Sequence, residues 1–191
     1  MGAVETVEVF RRHRVTVVDY YRMAEMGMLA PDARVELIDG EIVDMAPMKS
    51  LHASVVGALN ALLSAAVQGR ALVWCQLPLR LDDRSEPEPD LMLLRPRADF
   101  YRDAHPCAED VCLLIEVSDT SARYDREIKV PLYARHGVAE VWIVDLDHRR
   151  LRVLREPRDG DYTEVVETAS PGVVEPKALP GVKVDLASIF G

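Results

Sequence analysis

Cysteine is scarce in this chain of 191 residues. Cys75, Cys107 and Cys112 form no CxxC pair, and an odd number leaves one without a mate. This usage excludes a disulfide framework and a thiolate zinc site, and fits small core hydrophobes in a reducing compartment. Long apolar runs are also lacking: none approaches the ~20 residues of a bilayer-spanning helix. The opening MGAVETVEVFRRHRV mixes acids and bases without an apolar stretch, so it does not read as a secretory signal. Gly2 follows Met1 as in a myristoylation site, but Thr6 supports that weakly and it is discounted. The expected location is the cytoplasm. A basic excess is missing as well. The net charge of −9 argues against nonspecific coating of nucleic acid, which is driven by neutralising phosphates. Local patches remain open, because basic residues cluster at Arg95, Arg97 and Arg102, at Arg123, Arg126 and Lys129, and at Arg149, Arg150, Arg152 and Arg155. Each cluster taken alone reads first as a solvated loop or hairpin face.

What is present is an ordinary globular composition, 49% hydrophobic and 29% charged. The length fits one domain over residues 1–191, with a core at about 16–155 and a C-terminal strand extension over 156–191. Thr16 is placed to cap a helix with apolar spacing at Val17, Tyr20, Tyr21, Met23 and Ala24. RVELIDGEIVDM reads as two short strands around Asp39-Gly40, a preferred hairpin turn. Residues 50–68 carry a strong helical pattern with Ser50 as its expected cap. Strands are expected at 71–81, 89–94 and 111–117, then a helix at 121–136 ending at Gly137, then the strand AEVWIVDL. A strand pair around Asp159-Gly160 and a short strand with a turn of helix capped by Asp185 complete the chain. The order αβββαβ implies a mixed α/β sandwich, its sheet flanked by helices, with the hairpin at 35–45 and the pair at 150–167 extending the sheet's edges.

Three carboxylates fall in or beside these strands. Glu116 interrupts the apolar run VCLLIEV, Asp90 opens PDLMLL after Pro89, and Glu36 lies in RVELIDG. An unpaired carboxylate in a strand interior is costly. Carboxylates converging at strand ends suit hard divalent cations such as Mg²⁺, and a bound cation would favour ionised Glu116. Plainer readings exist: Asp90 as a strand cap, Glu36 on either face of its hairpin, Glu116 paired with Arg123, Arg126 or Lys129. Asp125, Lys129 and Tyr133 follow at i, i+4 and i+8, one face of a helix that starts directly after the Glu116 strand. An ion pair on a wet face is the bland account of that spacing; beside three carboxylates it also offers a charge-stabilising lysine.

The segments RVELIDGEIVDM, LHASVVGALNALL, PEPDLMLL and LLIEVSDTSARYDREIKVPLYARHGVAEVWIVD occur in the order typical of the Uma2 (DUF820) family, which the chain resembles over roughly residues 16–155. The resemblance implies the PD-(D/E)XK restriction-endonuclease-like fold. It maps the family's acidic residues onto Glu36, Asp90 and Glu116. The wider superfamily places a lysine two residues after this glutamate, where Ser118 stands here; in Uma2 proteins the lysine moves to the following helix, which Lys129 matches. His52 also matches a family position, with an exposed first-turn histidine as its alternative. Pro131 departs from the pattern: within a helix it removes a donor and clashes with the preceding turn, so the helix either starts late, around Glu127, or kinks.

The implied function is a metal-dependent endonuclease on DNA. Asp90 and Glu116 would hold Mg²⁺ or Mn²⁺ with the Val117 carbonyl, Glu36 would complete the shell or orient water, and Lys129 would stabilise transition-state charge. Its partner would be DNA, reached through a local basic patch, and a homodimer fits because duplex DNA presents two strands. The rival readings are a catalytically inactive module of this fold kept for binding or assembly, and a hydrolase of another phosphate ester.

Overall fold

The structure is a computed structural model that describes residues 12–118, 124–169 and 171–190. It begins with α1 (Val17–Glu25), which Thr16 caps as the sequence predicts. The Thr16 hydroxyl oxygen accepts the Asp19 N–H at 3.1 Å, and the Asp19 carboxylate accepts the Thr16 N–H at 3.4 Å. This reciprocal box satisfies two donors that a helix end otherwise leaves bare.

Next, β1 (Val35–Ile38) and β2 (Glu41–Asp44) form a hairpin whose turn puts Asp39 at φ 48° and Gly40 at φ 75°. Both central residues of this tight turn need positive φ, which explains Asp-Gly. The hairpin forms a separate two-stranded sheet and does not extend the edge of the main one, contrary to the expectation. Its free edge is already occupied: Glu86 N–H donates to the Leu37 carbonyl and Gly40 N–H to that of Arg84, each at 2.7 Å. All four β1 residues are therefore buried, Glu36 among them.

The long helix α2 (Ser50–Val67) is capped by Lys49 in an extended conformation, without a side-chain bond, so Ser50 lies inside the first turn and is not the cap. Contrary to the expectation that no apolar run approaches a membrane span, α2 alone among the described residues is long and apolar enough to cross one, with a mean hydropathy of 1.5. Here one face, Val55, Val56, Leu59, Leu63 and Val67, is buried in the core.

The main sheet contains β3 (Leu72–Cys75), β4 (Leu91–Leu94), β5 (Val111–Ser118), β6 (Glu140–Asp145), β7 (Arg150–Arg158) and β8 (Asp161–Thr168), side by side in that order. Neighbours are antiparallel except β5 and β6, which run parallel. The strand expected over 71–81 stops at Cys75, since Gln76 turns into the left-handed region at φ 51°. The pair at 150–167 does extend the sheet. The restriction-endonuclease-like αβββαβ order is present, with a mixed sheet flanked by helices.

A parallel β5–β6 pair requires a crossover, and a helix supplies it. Residues 119–123, Arg123 among them, lie outside the described ones. From Asp125 to Lys129 the chain makes a π-turn, in which the Val130 N–H reaches back five residues to the Asp125 carbonyl. The α-helix proper, α3, runs Val130–Arg135 with Pro131 in its first turn. A proline there gives up a donor that the helix would not have used. The chain is already helical at Tyr124, so it is the widened turn that reconciles Pro131 with a helix.

Two apolar layers sandwich the sheet. On one face α2 packs Val55, Leu59 and Leu63 against Leu91, Leu113, Ile115 and Trp142. The C-terminal residues Leu179, Val182, Val184 and Leu186 join this layer, held by the short pair β9 (Val173–Val174) and β10 (Val184–Asp185). On the other face Tyr133 and Val130 cover Met92, Leu114, Val141 and Ile143. Residues of β5 alternate between the layers, so Glu116 shares the α3 side with Leu114 and Ser118.

Gly40 is the point where the hairpin tolerates least change: a Cβ there would sit 2.8 Å from the Arg14 Cβ and 3.0 Å from the Val15 carbonyl oxygen. Gly40→Ala should lower stability by about 1–3 kcal/mol, read as a reduced denaturation midpoint with an unchanged slope.

Candidate active site

Asp90 and Glu116 meet where β4 and β5 begin to pair. Leu91 is opposite Ile115, which sets Asp90 across from Glu116. Each carboxylate accepts a backbone donor from the other's strand. Asp90 Oδ2 takes the Val117 N–H at 2.9 Å, and Glu116 Oε2 takes the Asp90 N–H at 3.3 Å. At this end of the ladder, carboxylate oxygens do what carbonyls do further along, so the two acids are fixed by the sheet itself.

Other elements hold the remaining oxygens. Tyr133, wholly buried in α3, donates its hydroxyl to Glu116 Oε1 at 2.6 Å. Lys129 Nζ lies 3.3 Å from the same oxygen and 3.1 Å from Glu36 Oε2. Glu36 also accepts the Glu88 N–H at 3.2 Å. Ser118, at the superfamily's lysine position, donates its hydroxyl to Asp125 at 2.6 Å and so ties the end of β5 to the π-turn. Asp125, Lys129 and Tyr133 are all buried on one side of the helix, as their spacing predicts. His52 Nε2, from the first turn of α2, lies 3.0 Å from Asp90 Oδ1. All eight residues singled out in the sequence thus come together.

The electrostatics follow from burial. The Glu116 carboxyl is raised to about 8: desolvation drives it up against the pull of Lys129, Asp90 and Asp125 add to the rise, and the Tyr133 hydroxyl works against it. Desolvation opposes the charge on Lys129, yet Glu116, Glu36 and Asp125 outweigh it and hold the ammonium above its ordinary range. Burial, then Glu116, raises the Tyr133 hydroxyl far beyond normal, so it stays a donor. The cluster is a buried cation among several carboxylates.

These groups border a cavity of about 310 Å³ that is lined by Glu36, His52, Asp90, Glu116, Asp125 and Lys129. Residues not foreseen from the sequence line it too. Gln76 donates to Asp90 Oδ1 at 3.2 Å, and Glu88, Arg34 and Tyr124 complete the wall. Burial and then Glu36 raise the Glu88 carboxyl. Gln76 carries no signal in an alternating stretch, since only its positive φ aims it at the site.

The donor set fits a hard cation of the Mg²⁺ kind. Asp90 and Glu116 face each other across adjacent strands at the cavity wall, and a cation would oppose the desolvation and the carboxylate repulsion that raise Glu116. Among the described residues no three His, Cys, Asp or Glu side chains form a ready ligand cluster. The protein side chains that could hold such an ion are therefore the carboxylate pair Asp90 and Glu116.

For Glu116 the folded state binds the proton more tightly than the unfolded chain. Its contribution to stability is fully present below pH ~4.5 and is lost as pH rises through about 8. In metal-free protein, Glu116→Gln should flatten that decline between pH 5 and pH 8, as followed by thermal unfolding across the range.

Comparison with known proteins supplies the family. Residues 17–187 match Uma2, described as "Putative restriction endonuclease". A crystal structure from Anabaena variabilis, described as "a putative nuclease belonging to DUF820", superposes with a TM-score of 0.69 at 16% identity, covering 92% of this chain and 97% of that one. At that identity the likeness establishes the fold. No curated protein matches. With the match spanning most of its length, the chain belongs to the Uma2 family.

Proposed function

We propose that this protein is a divalent-metal-dependent nuclease that hydrolyses DNA phosphodiester bonds. The observation that carries the reading is the Asp90–Glu116 carboxylate pair, set across adjacent strands, with Lys129 3.3 Å from Glu116 inside one cavity. The family description and the fold of the Anabaena neighbour support it.

Asp90 and Glu116 would hold Mg²⁺ or Mn²⁺, aided by the Val117 carbonyl. When bound, the ion supplies a more acidic water and a Lewis acid at the phosphoryl oxygen. Lys129 adds a permanent positive charge where negative charge accumulates on the phosphoryl group, in a site too dry to screen it. Glu36 keeps the ammonium in place. Tyr133 fixes Glu116, while His52 and Gln76 fix Asp90, so neither carboxylate must reorganise during reaction.

One observation favours the rival reading of an inactive binding or assembly module. Lys129 already contacts two carboxylates, Glu36 and Glu116, which compensate its charge. The two readings diverge experimentally. A nuclease should cleave DNA, offered single-stranded or duplex, with Mg²⁺ or Mn²⁺, and Glu116→Ala should abolish cleavage. Equal activity in that variant would mean contamination. Wild-type protein that cleaves no phosphate ester and takes up no Mn²⁺ in calorimetry would establish the module.

Graded losses separate the roles of the supporting residues. Lys129→Ala should cost about 10²–10³ in kcat, as removal of a charge-stabilising donor does. Tyr133→Phe should cost about tenfold, since it removes one hydrogen bond to a charged group of about 1.5 kcal/mol. Single-turnover rates at saturating Mn²⁺ would measure both.

A further inference from the structure

The carboxylates share their cavity with a stretch of chain that phosphodiester chemistry does not need. Met45, Ala46, Pro47 and Met48, between β2 and α2, line the cavity that holds Asp90 and Glu116. No charged side chain interrupts these four residues, and Met48 is 36% exposed. Arg34 and Lys49 border the same cavity. A scissile phosphate seated at the carboxylates therefore has an apolar wall within the same small space and cations at its border.

Resting on the reading of this cavity as a phosphodiester site, we infer that it takes single-stranded nucleic acid, with one base next to the scissile phosphate seated against Met45–Met48. The size supports one unpaired nucleotide: about 310 Å³ is at the lower end of small-ligand pockets, which start near ~300 Å³. The chemistry agrees. Methionine and proline are side chains that pack on unstacked bases, and the thioether is polarisable enough to favour an aromatic face. Such contact tolerates any base, because every base has a π-face.

The rest of the surface points the same way. Binding a duplex relies on many phosphate contacts. Here Arg97 is forked onto Asp99, Arg150 meets Glu167, and Arg155 meets Glu140, so those arginines are balanced by acids. With a net charge of −9, the surface outside the cleft adds little attraction for a long polyanion.

The test uses the full chain with a fluorescein-labelled 12-nucleotide DNA strand bearing one 2-aminopurine, single-stranded or as a blunt duplex, in Ca²⁺ buffer. The single strand should bind at least about tenfold more tightly, and 2-aminopurine emission should change on binding. Met45→Ala with Met48→Ala should weaken single-strand binding about tenfold, at about threefold for each lost thioether contact. Met48→Glu alone, on an exposed side chain, should weaken it too. Equal or tighter duplex binding, no binding of either form, or wild-type affinity in both variants would overturn the inference. Cleavage with Mn²⁺ separates it from the catalytic reading. A duplex cut as fast as the single strand removes this inference and leaves the nuclease standing. A single strand that binds tightly but is never cut removes the nuclease and leaves the binding mode.

Discussion

One contact governs this site: the Lys129 ammonium against the Glu116 and Glu36 carboxylates, with all three side chains almost wholly buried. Each ion alone would face a desolvation cost of several kcal/mol in that position. Together they are tolerable only if the strand, the hairpin and the helix that supply them keep a fixed relation. Removing Lys129 would leave two buried carboxylates uncompensated, the costliest way to break such a network. The geometry is therefore enforced by electrostatics as much as by apolar packing. Burial first, and then an excess of carboxylate over cation, leaves Glu116 with its raised pKa and leaves the cavity receptive to further positive charge.

The fold meets this demand through topology. β5 lies inside the sheet, buried on both faces, and its alternation gives Ile115 and Val117 to the α2 layer and Glu116 and Ser118 to the α3 side. The parallel β5–β6 pair forces the chain to cross over on that second face, which brings Asp125, Lys129 and Tyr133 back over the strand they have just left. The hairpin, kept out of the main sheet by its pairing with residues 84–86, delivers Glu36 from a third direction. Its independence matters, because as an added edge strand it would lie beside β3 or β8, away from Lys129.

How legible this was varies residue by residue, for physical reasons. Glu116 stands out because it interrupts an apolar run, and Lys129 because its spacing to Asp125 and Tyr133 matches a helix face. The αβββαβ order follows from the same periodicities. Glu36 stayed ambiguous because alternation tells the two faces of a strand apart only when one is wet, and both faces of β1 are covered. Gln76 was hidden because a non-glycine residue with positive φ leaves no compositional trace. Ser50 looked like a cap, yet the chain enters the helix one residue earlier, at Lys49. The arginine clusters looked available because their acidic partners, Glu167 for Arg150 and Glu140 for Arg155, come from neighbouring strands that only the fold brings alongside.

Ser118 and the π-turn make most sense considered together. With serine at the end of β5, no cation projects from that strand, and the charge must arrive from the helix. An uninterrupted α-helix through Pro131 would demand an N–H that proline lacks. The five-residue turn Asp125–Lys129 ends just before it, so the wider loop absorbs the misfit. Ser118 then does a different job: its hydroxyl pins Asp125, the first residue of that turn, at 2.6 Å. The strand position that gave up the lysine thus anchors the segment that carries it, and Lys129 reaches Glu116 because both ends of the turn are held. A change at Ser118 would act on the site through Asp125 and the placement of Lys129.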